Sequence, residues 1–347
     1  MAKTKVAIVG ASGYAGSELT RLLLSHPAVE LVRVTSKSQA GRMVTEVFPH
    51  LSGLTELVFQ PFDAKKVKEA AEVIFTALPH GRSMVNVPQL YDKEHKVIDL
   101  SGDFRLTPEL YQAWYKREHI EPDLIEEAVY GLTELARREV SSAGLVANPG
   151  CYATCVTLAV APFISSMVIE RDIIADAISG VSGAGRPPTD RNQYCQVEGN
   201  VMAYKAGGTH QHIPEIEQSC YGLCQMPVSV SFTPHLGPFP RGILSTSYAK
   251  LKEKLSGAEL HEMLAAFYQD APFVTVLPLE DHPQVKLVHG TNFAHLAVAL
   301  DERSNLLVMM SAIDNLGKGA AGQAIQNMNL MLGLEETAGL LQGAVFP

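Results

Sequence analysis

The sequence contains little of what would mark a secreted, membrane or nucleic-acid-binding protein. Its five cysteines are odd in number and have no framework of spacings, so we expect reduced thiols, as in a cytosolic protein. It has no dense cluster of Lys and Arg, and its formal net charge of −9 argues against a nucleic-acid or anionic-membrane partner. No apolar run reaches membrane-spanning length, and the apolar stretch at residues 6–9 is too short for a signal-peptide core. We therefore expect a cytoplasmic protein.

The first residues carry a glycine pattern in the setting of a nucleotide-binding loop. Lys5–Val9 predicts a short strand, and three glycines in the pattern G-x-x-G-x-x-G follow it before an amphipathic helix. Such glycines let the backbone turn tightly and approach a pyrophosphate, which rests on the helix N-terminus. A structural turn is the alternative. The expected dinucleotide contacts are Gly10, Ser12, Gly13, Tyr14, Ala15 and Gly16.

The end of the second predicted strand, Val29–Thr35, indicates which dinucleotide is bound. A residue that reads a ribose 2′-hydroxyl would be an Asp or Glu at this point. The chain has Ser36, Lys37 and Ser38 instead, with Arg42 nearby, and hydroxyls and cations favour a 2′-phosphate. We therefore predict NADP as the cofactor, with Ser36 and Ser38 as contacts. A solvated basic loop is the alternative.

Two further predicted strands, Val73–Leu78 and Lys96–Leu100, each end in a polar loop. Ligands of open α/β sheets bind at the carboxyl ends of the strands, so both loops should face the cofactor. Pro79 and His80 are expected at the nicotinamide end, where an imidazole could also act as a base. Arg105, in the second loop, is a candidate for holding phosphate or carboxylate, because a guanidinium can donate two parallel hydrogen bonds. Its alternative is a surface ion pair with Asp103 or Glu109.

The strongest chemical signal is the segment Asn148–Thr154, with the sequence NPGCYAT. An apolar strand, Leu145–Ala147, runs through a Pro-Gly bend into a helix that is apolar on every face and opens on Cys151. Backbone N–H groups and the positive end of the helix dipole favour a thiolate there, and the same N–H groups can hold an oxyanion. Cys151 is therefore a predicted nucleophile, and a small buried hydrophobe is the alternative.

After Cys151 the pattern changes from alternating strands and helices to strands in series. It predicts an antiparallel sheet with one solvated or interface face, and a domain boundary near Asn148. The predicted strands cover residues 173–181, 228–235, 243–251, 294–300 and 306–313. The glycine-lined loop after the first of them is suited to wrapping an anionic substrate, with Ser182, Gly183 and Arg186 as contacts.

The segment Thr209–Glu215, with the sequence THQHIPE, holds the densest group of histidines in the chain. A thiol nucleophile needs an imidazole within reach as proton acceptor and later donor, so this segment is the predicted partner of Cys151. Two ordinary loop histidines, or a metal site, are the alternatives. No third and fourth metal ligand follows at the usual spacing, so we predict no metal.

The last part of the chain begins with a glycine-rich turn, residues 315–322, that enters a helix containing small residues. Small side chains permit the close approach of another backbone or of a flat ring. We therefore predict that this helix returns to pack on the first domain, with Asn315 near the nicotinamide.

Eight segments, in this order along the chain, resemble those of the N-acetyl-γ-glutamyl-phosphate reductases, the arginine-pathway members of the semialdehyde dehydrogenase group. They are GASGYAGSEL, ALPHG, IDLSGDFRL, YGLTEL, NPGCYAT, SGVSGAGR, HQHIPEIEQ and NLGKGAAGQAIQNMN. The resemblance implies an α/β plus α+β fold. Its N-terminal Rossmann dinucleotide-binding domain is completed by a C-terminal helix, and the inserted catalytic and oligomerisation domain has a mixed or antiparallel sheet.

The resemblance also implies a separate function for each of three parts of the chain. Residues 1–147 would bind NADP, residues 148–313 would carry catalysis and dimerisation, and residues 314–347 would form the returning helix. Cys151 matches the family's nucleophile and His212 its base, with His210 and Glu215 as supporting residues. Gln211 stands where many members have an arginine, a departure that bears on substrate affinity rather than on the reaction.

The implied reaction is the NADPH-dependent reduction of N-acetyl-γ-glutamyl phosphate to N-acetylglutamate 5-semialdehyde, with release of phosphate, through a cysteine thioester. Arg105 would hold the leaving phosphate, and Arg186 the substrate's carboxylate or phosphate. The expected partners are this small molecule and inorganic phosphate, in a homodimer or homotetramer. The alternatives are the same chemistry on aspartyl or carrier-linked aminoadipyl phosphate, and a catalytically inactive nucleotide-sensing protein.

Overall fold

The computed structural model describes residues 2–346, which form two compact units. The first unit comprises the chain through Pro149 together with Ala320–Gln342, and the second comprises Gly150–Gly319 with the residues from Gly343 onward. The chain thus leaves the first unit after Pro149 and re-enters it after Gly319, whereas the sequence-based division lies after residues 147 and 313. Within residues 2–346, no helix combines the length and the apolar character that crossing a bilayer requires.

The first unit is built on a parallel sheet. Its elements before the crossing are β1 (Thr4–Val9), α1 (Tyr14–Leu24), β2 (Val29–Thr35), α2 (Val44–Val47), α3 (Ala64–Ala70), β3 (Val73–Thr76), α4 (Ser83–Leu90), β4 (Lys96–Asp99), α5 (Pro108–Tyr115), α6 (Pro122–Glu127), β5 (Val129–Tyr130), α7 (Thr133–Ser142) and β6 (Leu145–Ala147). The strand order is β2-β1-β3-β4-β6-β5, and every neighbouring pair is parallel. The order reverses between β1 and β3, so a ligand crevice is expected beyond the carboxyl ends of these two strands. The predicted Rossmann sheet is confirmed.

The second unit contains a mixed sheet and the long helix that begins at the candidate nucleophile. Its elements are α8 (Cys151–Ser165), β7 (Asp172–Gly180), α9 (Tyr194–Val197), β8 (Met202–Ala203), α10 (Ile213–Cys224), β9 (Ser229–Gly237), β10 (Ile243–Lys250), α11 (Gly257–Phe267), β11 (Val274–Val276), β12 (Ala294–Asp301) and β13 (Leu306–Ile313). The strand order is β11-β12-β13-β10-β7-β9-β8.

The strands in series predicted an antiparallel sheet, and two pairs differ from that prediction. β7 runs parallel to β9, and β11 runs parallel to β12, while the remaining neighbours are antiparallel. The chain between β7 and β9 passes through α10, and a helical crossover returns a strand in the same direction as the one before it. The mixed form of the predicted sheet is therefore confirmed.

The two faces of this sheet differ in what covers them. α8 packs against β10, β12 and β13 and also contacts α10 and α11, so these helices cover one face. Side chains on the opposite face alternate with the buried ones and remain half-buried or exposed, as for Ile174, Leu244 and Tyr248. This pattern is typical of a sheet whose second face meets solvent or another chain.

The final helix returns to the first unit, as predicted. A five-residue π-helical turn, Gly317–Ala321, leads into α12 (Gly322–Met331), which packs against α1, α7 and β4. The C-terminal helix therefore completes the Rossmann domain.

Candidate active site

The glycine loop of the first unit has the backbone that a dinucleotide phosphate requires. Gly10 has a φ of +89°, and a Cβ there would lie 2.7 Å from the carbonyl oxygen of Ala77. A Cβ on Gly16 would lie 2.5 Å from the Ala11 carbonyl oxygen, so this glycine allows α1 to pack on the turn. No side chain caps the N-terminus of α1, and the space beside Gly13 is open. An uncapped helix N-terminus facing open space fits the pyrophosphate of NADP.

The structure brings two of the predicted cofactor residues together at the end of β2. The backbone N–H groups of Gly10 and Ala11 donate to the carbonyl oxygen of Thr35, which holds the glycine loop against this strand. Ser36, the next residue, donates from its hydroxyl to Ser12 Oγ at 2.8 Å. Ser38 is exposed, two residues further on. This hydroxyl pair fits the ribose end of a dinucleotide.

The loops after β3 and β4 are tied to each other. The backbone N–H of Gly102 donates to His80 Nδ1 at 2.8 Å, and the Asp103 carboxylate accepts the N–H of Gly81 at 2.7 Å. Asp103 also accepts the N–H of Met84 and the hydroxyl of Tyr111. The imidazole of His80 therefore orders the loop, and Pro79 and His80 stay exposed at the carboxyl end of the sheet.

Arg105 is buried, with 6% of its surface exposed, and does not lie at the surface. Its Nε donates to the carbonyl oxygen of Asn148 and its Nη2 to that of Leu100, both at 2.8 Å. The guanidinium thus connects the loop after β4 to the segment that leads to Cys151. Its use as a phosphate holder stays a prediction, and the structure adds this positioning role.

Cys151 is the first residue of α8, as the sequence predicted. Gly150 precedes the helix in an extended conformation without a side-chain cap, and every residue from Tyr152 to Ile164 is buried. The thiol itself is half-buried. The helix N-terminus is therefore available to stabilise negative charge at Cys151 or on an adjacent oxyanion.

His212 packs on the residue directly before Cys151. A methyl group placed on Gly150 would lie 2.3 Å from His212 Nε2, so the absence of a side chain at residue 150 admits the imidazole. Glu215 is fully buried and connects the two segments. Its Oε2 accepts the N–H of Gly150 at 2.9 Å, and its Oε1 lies 3.9 Å from His212 Nε2. An imidazole backed by a carboxylate beside a cysteine is an arrangement that can move a proton.

His210 has a supporting role in this cluster. Its Nδ1 accepts the backbone N–H of His212 at 3.1 Å, and its ring lies 4.7 Å from the His212 ring. Burial, followed by the charges of His212 and Lys205, lowers the pKa of His210 to about 2. His210 therefore stays neutral and orients His212. Within residues 2–346, no group of three or more His, Cys, Asp or Glu residues is arranged to hold a metal ion.

The predicted substrate loop adjoins Asn315 within the second unit. Asn315 Nδ2 donates to Ser182 Oγ at 2.9 Å, and its Oδ1 accepts the N–H of Gly242 at 2.7 Å. These two bonds use both ends of the Asn315 amide, so its observed role is to anchor the loop. Contact with the nicotinamide stays a prediction. Gly183 and Arg186 are exposed, where a ligand can reach them.

Three residues at the site were not among the predicted site residues. The Tyr204 hydroxyl donates to Tyr152 Oη at 3.2 Å, and its ring lies 5.8 Å from that of His210. Lys205 follows with a positive φ, and its ammonium donates to Gln211 Oε1 between the two histidines. A Cβ on Gly319 would lie 2.8 Å from Cys151 Cβ. Their role depends on contacts across long stretches of chain, although the glycine-rich turn marked the region of Gly319.

Family comparisons cover almost the whole chain. A model described as the NAD binding domain of semialdehyde dehydrogenase matches residues 5–143, and one described as its dimerisation domain matches residues 151–315. The N-acetyl-gamma-glutamyl-phosphate reductases of Geobacter sp. (strain M21) and Citrifermentans bemidjiense are each 48% identical to the chain over 345 residues. That of Desulforamulus reducens is 47% identical. Each alignment covers 99% of this chain and 99% of the relative.

Solved structures share the fold at much lower identity. Aspartate semialdehyde dehydrogenase II complexed with ASA from Vibrio cholerae has a TM-score of 0.74 at 16% identity, covering 96% of this chain and 99% of that one. Aspartate semialdehyde dehydrogenase with NADP from Candida albicans has a TM-score of 0.69 at 15% identity, covering 95% and 99%. At this identity the likeness concerns the fold alone. The full-length relatives and the two domain matches show that the chain belongs to the semialdehyde dehydrogenase family and, within it, to the N-acetyl-γ-glutamyl-phosphate reductases.

Proposed function

We propose that the chain catalyses the NADPH-dependent reduction of N-acetyl-γ-glutamyl phosphate to N-acetylglutamate 5-semialdehyde, with release of phosphate, in arginine biosynthesis. The observation that carries the proposal is the packing of His212 on Gly150, directly before a cysteine that opens a buried helix. The family relatives add the substrate. An acyl phosphate is a suitable electrophile for such a cysteine because phosphate is a good leaving group.

The first half of the reaction uses the second unit's own residues. The Cys151 thiolate attacks the acyl carbon, the carbon–oxygen bond to phosphate breaks, and a thioester forms as phosphate leaves. Backbone N–H groups at the start of α8 stabilise the oxyanion of the tetrahedral intermediate. A thioester is more easily reduced than a carboxylate, which would otherwise resist attack as a resonance-stabilised anion.

The second half requires a hydride and a proton. NADPH, when bound, supplies the hydride that converts the thioester to a thiohemiacetal. His212 donates the proton to the developing alkoxide and takes it back as the thiohemiacetal collapses to aldehyde and thiolate. Glu215 lies 3.9 Å from the imidazole and accepts the N–H of Gly150, on which the ring packs, and neutral His210 orients the His212 backbone.

We propose that the first unit binds NADP and that the second unit carries the catalytic residues. Residues 1–147 bind the cofactor through the glycine loop, Ser36 and Ser38, and residues 314–347 supply the returning helix. Residues 148–313 carry catalysis and dimerisation. For the substrate's anionic groups, the proposed contacts are Arg105, Ser182, Gly183 and Arg186. A cytoplasmic location is also proposed, since none of the five cysteines forms a disulfide within residues 2–346.

Lys205 is expected to add to substrate affinity, because it places a cation beside Gln211. Burial and the nearby charge of Arg191 lower the pKa of this ammonium. Lys205→Met should raise the KM for an anionic substrate about tenfold and leave kcat within about threefold, as loss of one charge-assisted hydrogen bond predicts. Lys205→Arg should restore most of the affinity. Steady-state kinetics test this with Lys254→Met, an exposed lysine on a loop, as control. Equal KM values in the two methionine variants would contradict it.

The reverse reaction tests the proposed function directly. N-acetylglutamate 5-semialdehyde, NADP and inorganic phosphate should yield NADPH, followed by absorbance, and omission of phosphate should stop it. In one parallel reaction, aspartate semialdehyde replaces N-acetylglutamate 5-semialdehyde. In another, NAD replaces NADP. NADPH formation with aspartate semialdehyde alone would indicate that the protein acts on another acyl phosphate. No NADPH formation with either aldehyde would favour a nucleotide-sensing role.

The dimerisation-domain match indicates an oligomer, and a homodimer or homotetramer is proposed. Its interface is assigned to the face of the mixed sheet opposite α8. Cross-strand neighbours there include Thr246 with Met310 and Tyr248 with Val308, all only half-buried. Met310→Glu should yield monomers in sedimentation experiments, because an unpaired carboxylate is costly to bury in an interface. Lys254→Glu should leave the mass unchanged. An unaltered mass for Met310→Glu would place the interface elsewhere.

A further inference from the structure

The helix α12 buries amides where apolar side chains would be expected. Gln323, Gln326, Asn327 and Asn329 have no exposed surface. A buried amide is costly unless its donors and acceptor are satisfied, so the partners of a buried asparagine show what it holds in place. One partner of Asn327 is Asn148, which lies on the segment that leads to Cys151.

Asn327 is held from two sides. The Thr133 hydroxyl donates to Asn327 Oδ1 at 2.7 Å. Asn327 Nδ2 donates to the carbonyl oxygen of Gly131 at 2.8 Å and to Asn148 Oδ1 at 3.2 Å. A Cβ on Gly131 would lie 2.6 Å from Asn327 Nδ2, so the glycine is needed for this approach. The Asn327 amide is therefore fixed in orientation and directed at Asn148.

Each of the four polar groups of Asn148 has a partner. Its backbone N–H donates to the Asp99 carbonyl oxygen, and its own carbonyl oxygen accepts from Arg105 Nε, both at 2.8 Å. Its side chain accepts from Asn327 and donates to the carbonyl oxygen of Ala320 at 3.2 Å. A fully bonded and buried asparagine is a rigid starting point for the turn that follows.

That turn ends on the proposed nucleophile. Only Pro149 and Gly150 separate Asn148 from Cys151, and proline leaves little freedom at its φ. Ala320 directly follows Gly319, whose backbone lies against Cys151. The Asn148 side chain thus joins the segment before the cysteine to the segment beside it, and Asn327 holds that side chain.

We propose that Asn327 is a positioning residue for Cys151, acting through Asn148. The inference rests on the proposed function only for the role of Cys151. Without Asn327, Asn148 Oδ1 loses its donor, and the Pro149–Gly150 bend can relax. Cys151 then shifts from the His212 ring that packs on Gly150.

The chain offers a matched control on the same helix. Asn329 is also an asparagine with no exposed surface, but it bonds to His26 and to the carbonyl oxygens of Glu336 and Ala338. Asn327→Ala and Asn329→Ala should therefore cost similar thermal stability. Only Asn327→Ala should lower kcat, by about 10²-fold, because a displacement of about 1 Å at reacting atoms has that effect. Its KM and its NADPH dissociation constant should stay within about twofold of wild type.

A second readout is independent of the substrate. Iodoacetamide alkylation of Cys151, followed by peptide-resolved mass spectrometry because Cys195 is exposed, should slow at least about threefold in Asn327→Ala and not in Asn329→Ala. Asn148→Ala should impair kcat and alkylation at least as much as Asn327→Ala, because it also removes the bond to Ala320, and the double variant should be no worse than Asn148→Ala, since Asn327 acts through Asn148. If Asn327→Ala does not fold, Thr133→Val removes the bond to Asn327 Oδ1 and should give the same changes in smaller measure.

The proposal is overturned if kcat and alkylation in Asn327→Ala match those of Asn329→Ala, or if the loss of activity follows a loss of NADPH binding. Absence of turnover in the wild type, with the alkylation difference retained, would instead reject the proposed function and keep the positioning role.

Discussion

Replacement of Cys151 by serine is expected to abolish turnover while NADPH binding and the fold persist. A serine hydroxyl stays protonated near neutral pH and is a far weaker nucleophile than a thiolate, so kcat should fall on the order of 10⁴-fold or more. The reverse reaction measures turnover, and quenching of intrinsic or nicotinamide fluorescence measures NADPH binding. Iodoacetamide should label the peptide that contains Cys151 in the wild type only.

Cys155 provides the control for this substitution, because it lies one turn later on α8. Its thiol is buried and donates to Ser245 Oγ at 3.4 Å and to the Ser311 carbonyl oxygen at 3.5 Å. Burial raises the pKa of Cys155 to about 11, so it stays protonated and unreactive. Cys155→Ser should keep kcat within a few-fold of wild type. Turnover retained in Cys151→Ser, or lost equally in both variants, would remove Cys151 from the mechanism.

Replacement of His212 by asparagine is expected to lower kcat by about 10²- to 10⁴-fold, the usual contribution of a positioned acid–base group. Asparagine is of similar size and can hydrogen-bond, but it does not titrate near neutral pH. The variant should therefore lose the proton transfer while the size of the side chain is kept. His210→Asn should lower kcat less than His212→Asn, because the pKa of His210, about 2, keeps that imidazole neutral and outside the proton transfer.

The variant Gly150→Ala tests the role of the His212 imidazole without replacing His212 itself. Gly150 has a φ of −71° and a ψ of 147°, a conformation that alanine adopts without strain. The three atoms nearest to the added methyl would all belong to the His212 ring, the closest at 2.3 Å. Displacement of the imidazole should cost kcat about 10²-fold, with NADPH affinity unchanged. Wild-type kcat in this variant would show that His212 is not held at Gly150 during turnover.

The local elements of the chain could be predicted because their signals lie within a few residues. The glycine loop, the strand at Val29–Thr35 and the helix that opens on Cys151 follow from spacing, apolar periodicity and the Pro-Gly bend. The same holds for the parallel sheet, since alternating strands and helices allow few arrangements. The parallel pairing of β7 with β9 was not visible in the strands themselves, because it depends on the crossover between them.

The tertiary contacts of individual side chains could not be predicted from the local sequence pattern. Arg105 was predicted to hold an anion, with a surface ion pair as the alternative, and the structure adds that it is buried and donates to the carbonyl oxygen of Asn148, 43 positions away. Asn315 was predicted to lie near the nicotinamide, which stays a prediction, and the structure adds that both ends of its amide bond to Gly242 and Ser182. Side-chain hydrogen bonds between distant segments leave no periodicity in the sequence. An arginine or asparagine can also bond equally well to a ligand or to another part of the chain, so its residue type does not show which it does.

The proposed nucleophile and the class of fold therefore followed from the order of residues along the chain, because helix starts, tight turns and strand periods are short-range properties. The environment of that nucleophile depends on folding. His212 and Glu215 reach Gly150 across about 60 residues, and Asn327 reaches Asn148 across 179. Only the folded backbone brings Glu215 within hydrogen-bonding distance of Gly150 and Asn327 within that of Asn148, and the absence of a side chain at Gly150 leaves space for the imidazole of His212.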